Sequence, residues 1–182
     1  MKEGMIFRTL TARDGRKVTL RAPRWGDLDD MLQFINSLVE EKAMIMINEK
    51  QTRDAEVGWI STLLTNVEKD KIVAVVAEVD GRMVGSCEIV PKKGYLSHLG
   101  SLGISLLDGY REQGIGQEMM LEAERQVRRL GVEVVDLEVF EANARAIHTY
   151  EKVGYKITGR IPDGVKYEGA YIDALIMTKR IA

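Results

Sequence analysis

Arg111-Glu112-Gln113-Gly114-Ile115-Gly116 lies between an apolar, strand-like run, Leu102 to Leu107, and a long amphipathic pattern. In that pattern Ile115, Met119, Ala123, Val127 and Leu130 recur every three or four residues, Glu124 stands four before Arg128, and Gly131 suits the stop. The spacing predicts a helix with one face in the core. Gly114 and Gly116 let backbone approach an anion closely, and the unpaired first amides of the helix point at it. An ordinary glycine turn before a helix has the same G-x-G, so the strand before it and the helix after it are what favour a phosphate or pyrophosphate site.

Working outward, Phe7 to Thr11 and Lys17 to Ala22 flank Asp14-Gly15 as a hairpin that Pro23 ends. A helix follows with Asp27 as N-cap and Leu28, Met31, Leu32, Ile35, Leu38 and Val39 on one face. Asp54 to Val67 repeats the helical pattern, and the β-branched run Ile72 to Val79 reads as a strand buried on both faces. Asp80-Gly81 turns the chain into Met83 to Val90, Pro91 to Gly94 loops, and Ser97 to Leu107 is the strand feeding the glycine loop. Beyond the helix come a strand, Val132 to Val139, a short helix capped by Asn143 and closed by Gly154, and a final pair, Tyr155 to Ile161 and Ala170 to Lys179, around Asp163-Gly164 and Gly169.

Composition sets bounds on function. The 182 residues, 45% of them apolar, suffice for one packed α/β domain, 1–182, with no linker or repeat. With 26 basic against 28 acidic residues no broad basic surface points to nucleic acid. No apolar run reaches the roughly 20 residues that span a bilayer. Met1-Lys2-Glu3-Gly4 carries no signal-peptide pattern, and a cytoplasmic location is expected. One cysteine, Cys87, and two histidines argue against a disulfide or a metal site.

Taken together, Ile104-Ser105-Leu106, Tyr110 to Gly116, Leu137-Glu138-Val139, Asn143, Ala146-Ile147 and Tyr150-Glu151-Lys152-Val153-Gly154-Tyr155 resemble the GNAT N-acetyltransferase superfamily across essentially the whole chain. The resemblance implies a mixed α/β fold: a mostly antiparallel central sheet, splayed at the acetyl-CoA strand and flanked by about four helices. It implies acetyl-CoA as donor, CoA as product, an amine as acceptor, and a possible homodimer. Its cofactor contacts would be Ile104, Ser105, Leu106, Arg111, Glu112, Gln113, Gly114, Ile115, Gly116, Asn143 and Tyr150. A bulge in the strand before the loop, with Gly103 as its candidate, would free backbone groups for the pantetheine arm. The Leu106 amide would stabilise charge developing on the thioester oxygen.

Direct transfer to an amine needs a base for the ammonium proton and an acid for the leaving thiolate. Tyr150 matches the family's tyrosine acid, although Ile147, Tyr150 and Val153 also share a helical face that suits a core aromatic. Glu138 matches the base of the ribosomal-protein alanine N-acetyltransferases; alternation along a half-buried strand would equally turn it outward. Leu99 to Leu107 holds no glutamate, which leaves Glu88 and His98 as further bases. On the acceptor side, Met44 to Lys50 offers an apolar wall edged by Asn48 and Glu49, and the last loop offers Tyr167. The acceptor would be a small amine, an amino acid or a protein N-terminus. The alternative is a non-catalytic acyl-CoA sensor. A dinucleotide-binding dehydrogenase module is disfavoured because the glycine loop follows an antiparallel meander and lacks the third glycine.

Overall fold

The computed structural model describes all 182 residues. Eight strands and four α-helices follow in the order β1 (Ile6–Thr11), β2 (Lys17–Arg21), α1 (Leu28–Glu40), α2 (Arg53–Glu68), β3 (Val73–Val79), β4 (Arg82–Pro91), β5 (Leu99–Leu106), α3 (Ile115–Val127), β6 (Val134–Phe140), α4 (Ala144–Val153), β7 (Lys156–Tyr167) and β8 (Ala170–Arg180). All eight strands form one sheet in the order β1-β2-β3-β4-β5-β6-β8-β7. Only β5 and β6 are parallel, as a crossover through α3 requires. The mixed α/β architecture expected from the sequence is therefore present.

Alternation along β3 divides the core. Val73, Val75, Ala77 and Val79 join a cluster with Ile115, Met119, Met120, Ala123 and Val127 of α3, whereas Ala74 and Val76 join Met31, Phe34 and Leu38 of α1 and Ile60, Leu63 and Val67 of α2. Ala146, Ile147, Tyr150 and Val153 of α4 pack on the α3 cluster. The sheet thus has α3 and α4 on one face and α1 and α2 on the other.

The sheet is open in the middle. Strand β5 pairs with β4 from Gly85↔Leu106 to Pro91↔Gly100, but with β6 only at Leu99↔Val134, Gly100↔Val135 and Ser101↔Asp136. Beyond Ser101 the two strands diverge. The splay needs no bulge in β5: its register against β4 runs without a shift, and an added Cβ at Gly103 would meet nothing within 4 Å. The expected bulge is absent because β6 leaves β5, not β5 its neighbour β4.

Two other expectations are corrected. Asp27 occupies the N-cap position but makes no capping bond; its carboxylate instead accepts from both terminal nitrogens of Arg21 at 2.7 and 2.8 Å. Both side chains are 2% exposed, and pairing a buried charge outweighs satisfying one helix amide. Of the two turn signals, Gly169 marks the reversal, at Glu168-Gly169, both at positive φ, whereas Asp163-Gly164 is an irregularity within β7, between Ile161 and Val165.

Candidate active site

Two backbone bonds fix which way β5 presents its peptide groups. Lys92 N donates to Leu99 O at 2.8 Å and Leu107 N to Val84 O at 2.9 Å, so odd-numbered residues bond toward β4. In an antiparallel ladder the intervening residues point away. Ile104 therefore directs both its amide and its carbonyl into the gap left by β6, and Leu106 its amide, while the Leu106 carbonyl accepts from Arg111 Nε. The backbone of Ser105 is turned to β4, so of the three predicted strand contacts only Ile104 and Leu106 offer peptide groups to a ligand.

A cleft of about 1780 Å³ runs through this gap, lined from one face by Gly114, Gly116, Asn143 and Tyr150 and from the other by Glu88, Lys92, Asp136, Glu138 and Tyr167. At its α3 end Gly114 adopts φ +82, a left-handed conformation that side chains resist. A Cβ on Gly116 would lie 3.0 Å from Leu106 Cδ1. Ile115 is fully buried behind the loop, and the first amides of α3 remain open at its N-terminus.

The amino-terminal hairpin braces this loop, which sequence reading missed. Arg13 N donates to Gln113 O at 3.1 Å, Arg13 Nη1 donates to Glu112 O at 3.3 Å, and Arg16 donates to Gly109 O at 2.6 Å while its guanidinium stacks 4.2 Å from the Tyr110 ring. Arg13 thus sets a cation beside the loop. Its distance in sequence from Gly114 left no local signal. Arg111, the predicted phosphate contact, donates from Nε to Leu106 O at 2.9 Å and forms an ion pair with Glu41 at the end of α1.

Asn143 caps α4, accepting from Ala146 N at 3.2 Å, and lines the cleft. Tyr150 packs edge-on against Tyr155, with centroids 6.3 Å apart. Burial first, and the neighbouring Cys87 second, raise its hydroxyl to about 12, so it stays protonated at neutral pH. Tyr155 in turn donates to the buried Glu124 at 3.0 Å, which Lys179 also holds at 2.5 Å.

Among the base candidates, Glu88 stands opposite Gly103 on the α1/α2 face, half-buried, and desolvation raises its carboxyl to about 7. Glu138 lines the same face from β6 but is exposed. His98 is exposed at the start of β5 and does not line the cleft; its carbonyl accepts from Glu133 N and Val134 N. Asn48 and Glu49 are exposed and also lie outside the lining, where Gln51 and the Met44 to Ile47 run take their place. Tyr167 is in the lining: its hydroxyl donates to Lys42 O at 2.7 Å, and its ring meets Phe140 edge-on at 5.9 Å.

A sheet opened beside a glycine loop is the geometry that the family resemblance implied, and a family model described as acetyltransferase (GNAT) matches residues 35–155. The chain belongs to the GNAT acetyltransferase family. As a member it is an acetyl-CoA-dependent N-acetyltransferase. This acetyltransferase is 33% identical over 117 residues to the L-amino acid N-acetyltransferase AaaT of Escherichia coli, a span covering 62% of this chain and 70% of that protein. It is 24% identical over 160 residues to an N-alpha-acetyltransferase of Sulfurisphaera tokodaii, covering 80% and 84%. In fold it is similar to the yncA protein of Salmonella typhimurium, solved with its cofactor acetyl-CoA, with TM-score 0.79 at 17% identity over 91% of this chain and 94% of that one. No helix of the acetyltransferase is long and apolar enough to cross a membrane.

Proposed function

We propose that this acetyltransferase moves acetyl from acetyl-CoA to the primary amine of an amino acid or a protein N-terminus by direct attack, with Glu88 as base and Tyr150 as acid. The observation that carries this reading is the gap through the sheet, with Glu88 on the α1/α2 face and Tyr150 on the α3/α4 face lining one cleft. Acetyl-CoA supplies an activated acyl group and a thiol leaving group. The residues fit it: a crowded Gly116, open helix amides and Arg13 suit the pyrophosphate, and the gap-facing groups of Ile104 and Leu106 suit an extended amide arm.

An amine arrives largely protonated. Glu88 takes a proton from the ammonium, which its raised pKa of about 7 favours at neutral pH. The freed nitrogen lone pair attacks the acyl carbon. The Ile104 amide, adjacent to Gly103 and hence to Glu88, is better sited than the Leu106 amide to stabilise charge developing on the acyl oxygen. Tyr150 donates its proton to the departing sulfur, and the second proton lost from nitrogen as the amide forms restores the tyrosine hydroxyl. Glu138, exposed on β6, has the weaker claim as base.

The two curated relatives support the two acceptor classes, one being an L-amino acid N-acetyltransferase and the other an N-alpha-acetyltransferase. The testing experiment is calorimetric acetyl-CoA binding followed by thiol release against simple amines, free amino acids and peptides beginning with Ala or Ser. Binding with turnover on amino acids or peptides is the expected result. Binding without turnover on any amine would overturn the catalytic reading in favour of a sensor.

A further inference from the structure

The fork where β5 and β6 part carries a polar cluster that the transfer chemistry leaves unused. Ser101↔Asp136 is the last pair joining the two strands. There Ser101 Oγ donates to Asp136 Oδ1 at 2.7 Å, and the Lys92 ammonium pairs with Asp136 Oδ2. All three residues line the cleft. Lys92 and Glu88 lie on one strand at even spacing, four residues apart, and Ser101 and Gly103 face Val90 and Glu88 from β5, so all four share the α1/α2 face and the Lys92 side chain reaches back one row to Asp136. The Ser101–Asp136 row sits two residues, about 7 Å, along the strand from the Glu88–Gly103 row.

The Lys92 side chain is 35% exposed and Asp136 20%. An ammonium has three donors, and one suffices for Asp136. The cluster is therefore a cation, fixed at the fork by a carboxylate already satisfied by a serine, with donors left for the cleft. Other cations in the lining are committed or distant: Arg111 pairs with Glu41, Lys42 with Glu168, Arg13 stands at the glycine loop, and Arg145 and Lys152 belong to α4 on the opposite face.

We propose that Lys92 is the acceptor's carboxylate anchor, held in place by Asp136 and Ser101, and that the acceptor is a free α-amino acid and not a peptide N-terminus. This rests on the amine reading of the cleft given above. In an α-amino acid the carboxylate lies one carbon from the amine. With the amine at Glu88 and Gly103, hydrogen-bond contacts at both ends of the amine-to-carboxylate span bridge about the 7 Å between rows and bring the carboxylate to the Lys92 ammonium held against Asp136. In a peptide the same position carries a neutral amide, which gains far less from an ammonium.

The test compares kcat/KM for a free L-amino acid, its methyl ester and a dipeptide starting with the same residue, at saturating acetyl-CoA. The comparison uses the wild type, Lys92→Met and Lys92→Arg. The expected wild-type preference is for the free acid. Lys92→Met should collapse the free-acid-to-ester ratio by about 10- to 100-fold, through KM. Lys92→Arg should retain much of it. Unchanged acetyl-CoA binding by calorimetry shows that each variant is folded. Equal losses on acid and ester in Lys92→Met would overturn the anchor. A wild type that prefers the ester or dipeptide would overturn it too, yet leave the N-acetyltransferase reading standing. Absence of turnover on any amine would instead bring down that reading and the anchor together.

Discussion

Glu88 stands directly across from Gly103 in the β4–β5 register, so a half-buried carboxylate faces a residue with no side chain at the edge of the gap. That juxtaposition leaves room above Gly103 for an acceptor. Desolvation is the cause of the raised pKa of Glu88, and it adjusts the carboxyl to accept a proton near neutrality.

For Glu88→Gln, acetyl transfer should fall by about 10²-fold or more, and the acidic limb of the pH–kcat/KM profile near pH 7 should vanish while acetyl-CoA binding persists. A limb that survives in Glu88→Gln moves the base to Glu138. Stability provides a second readout. A carboxyl whose folded pKa exceeds its unfolded one binds more protons when folded, so stability falls as pH rises from about 4.5 to about 7. The Gln variant should therefore gain on the order of 1–2 kcal/mol relative to wild type at pH 8, allowing for partial exposure, and little at pH 4.

Tyr150→Phe retains the ring that packs on Tyr155 and removes only the hydroxyl. Single-turnover kinetics should show chemistry slowed about 10- to 100-fold with the calorimetric Kd for acetyl-CoA little changed. Full turnover in the variant would reassign the acid.

Arg111 is held between Leu106 O and Glu41, whereas Arg13 lies beside the glycine loop without a carboxylate partner. Freeing Arg111 with Glu41→Gln should tighten CoA binding about 3- to 10-fold, and Arg13→Ala should weaken it by a similar factor. Both effects should shrink as salt rises. If Glu41→Gln leaves the Kd unchanged at low salt, Arg111 takes no part in phosphate binding.

Arg21→Met should be the costly substitution away from the cleft. It removes the bidentate partner of Asp27, 2% exposed, leaving that carboxylate only the Arg24 guanidinium at 3.3 Å and the Arg24 amide, and removes a contact of 2.8 Å with Glu78. A loss of about 3–5 kcal/mol in urea unfolding is expected. The double change Arg21→Met with Asp27→Leu should recover part of it, since the under-paired buried charge is then gone.

The elements and the glycine loop were legible in the sequence because they are local. The periodicity of Ile115 to Val127, the β-branched run ending at Val79, and Gly114 with Gly116 each encode their conformation within a few residues. Asn143 likewise announced the start of α4. The family resemblance then supplied the expectation of an opened sheet. It could not supply the absence of a bulge at Gly103, because divergence of β5 from β6 depends on where β6 stays with β8 after leaving β5 at Ser101.

The tertiary structure decided which charges work together. Glu88 and Glu138 are alike in sequence, each a glutamate in an apolar strand, and only their burial separates them. Arg13 reached the loop from the first hairpin, Asp27 turned from cap to ion-pair partner, and Lys92 met Asp136 across the fork. In each case the partner is distant in the chain or lies on another element. Side-chain periodicity reports which face a residue occupies; its partner and its exposure to water follow from strand register and packing, which bring together segments whose order along the chain carries no record of the contact.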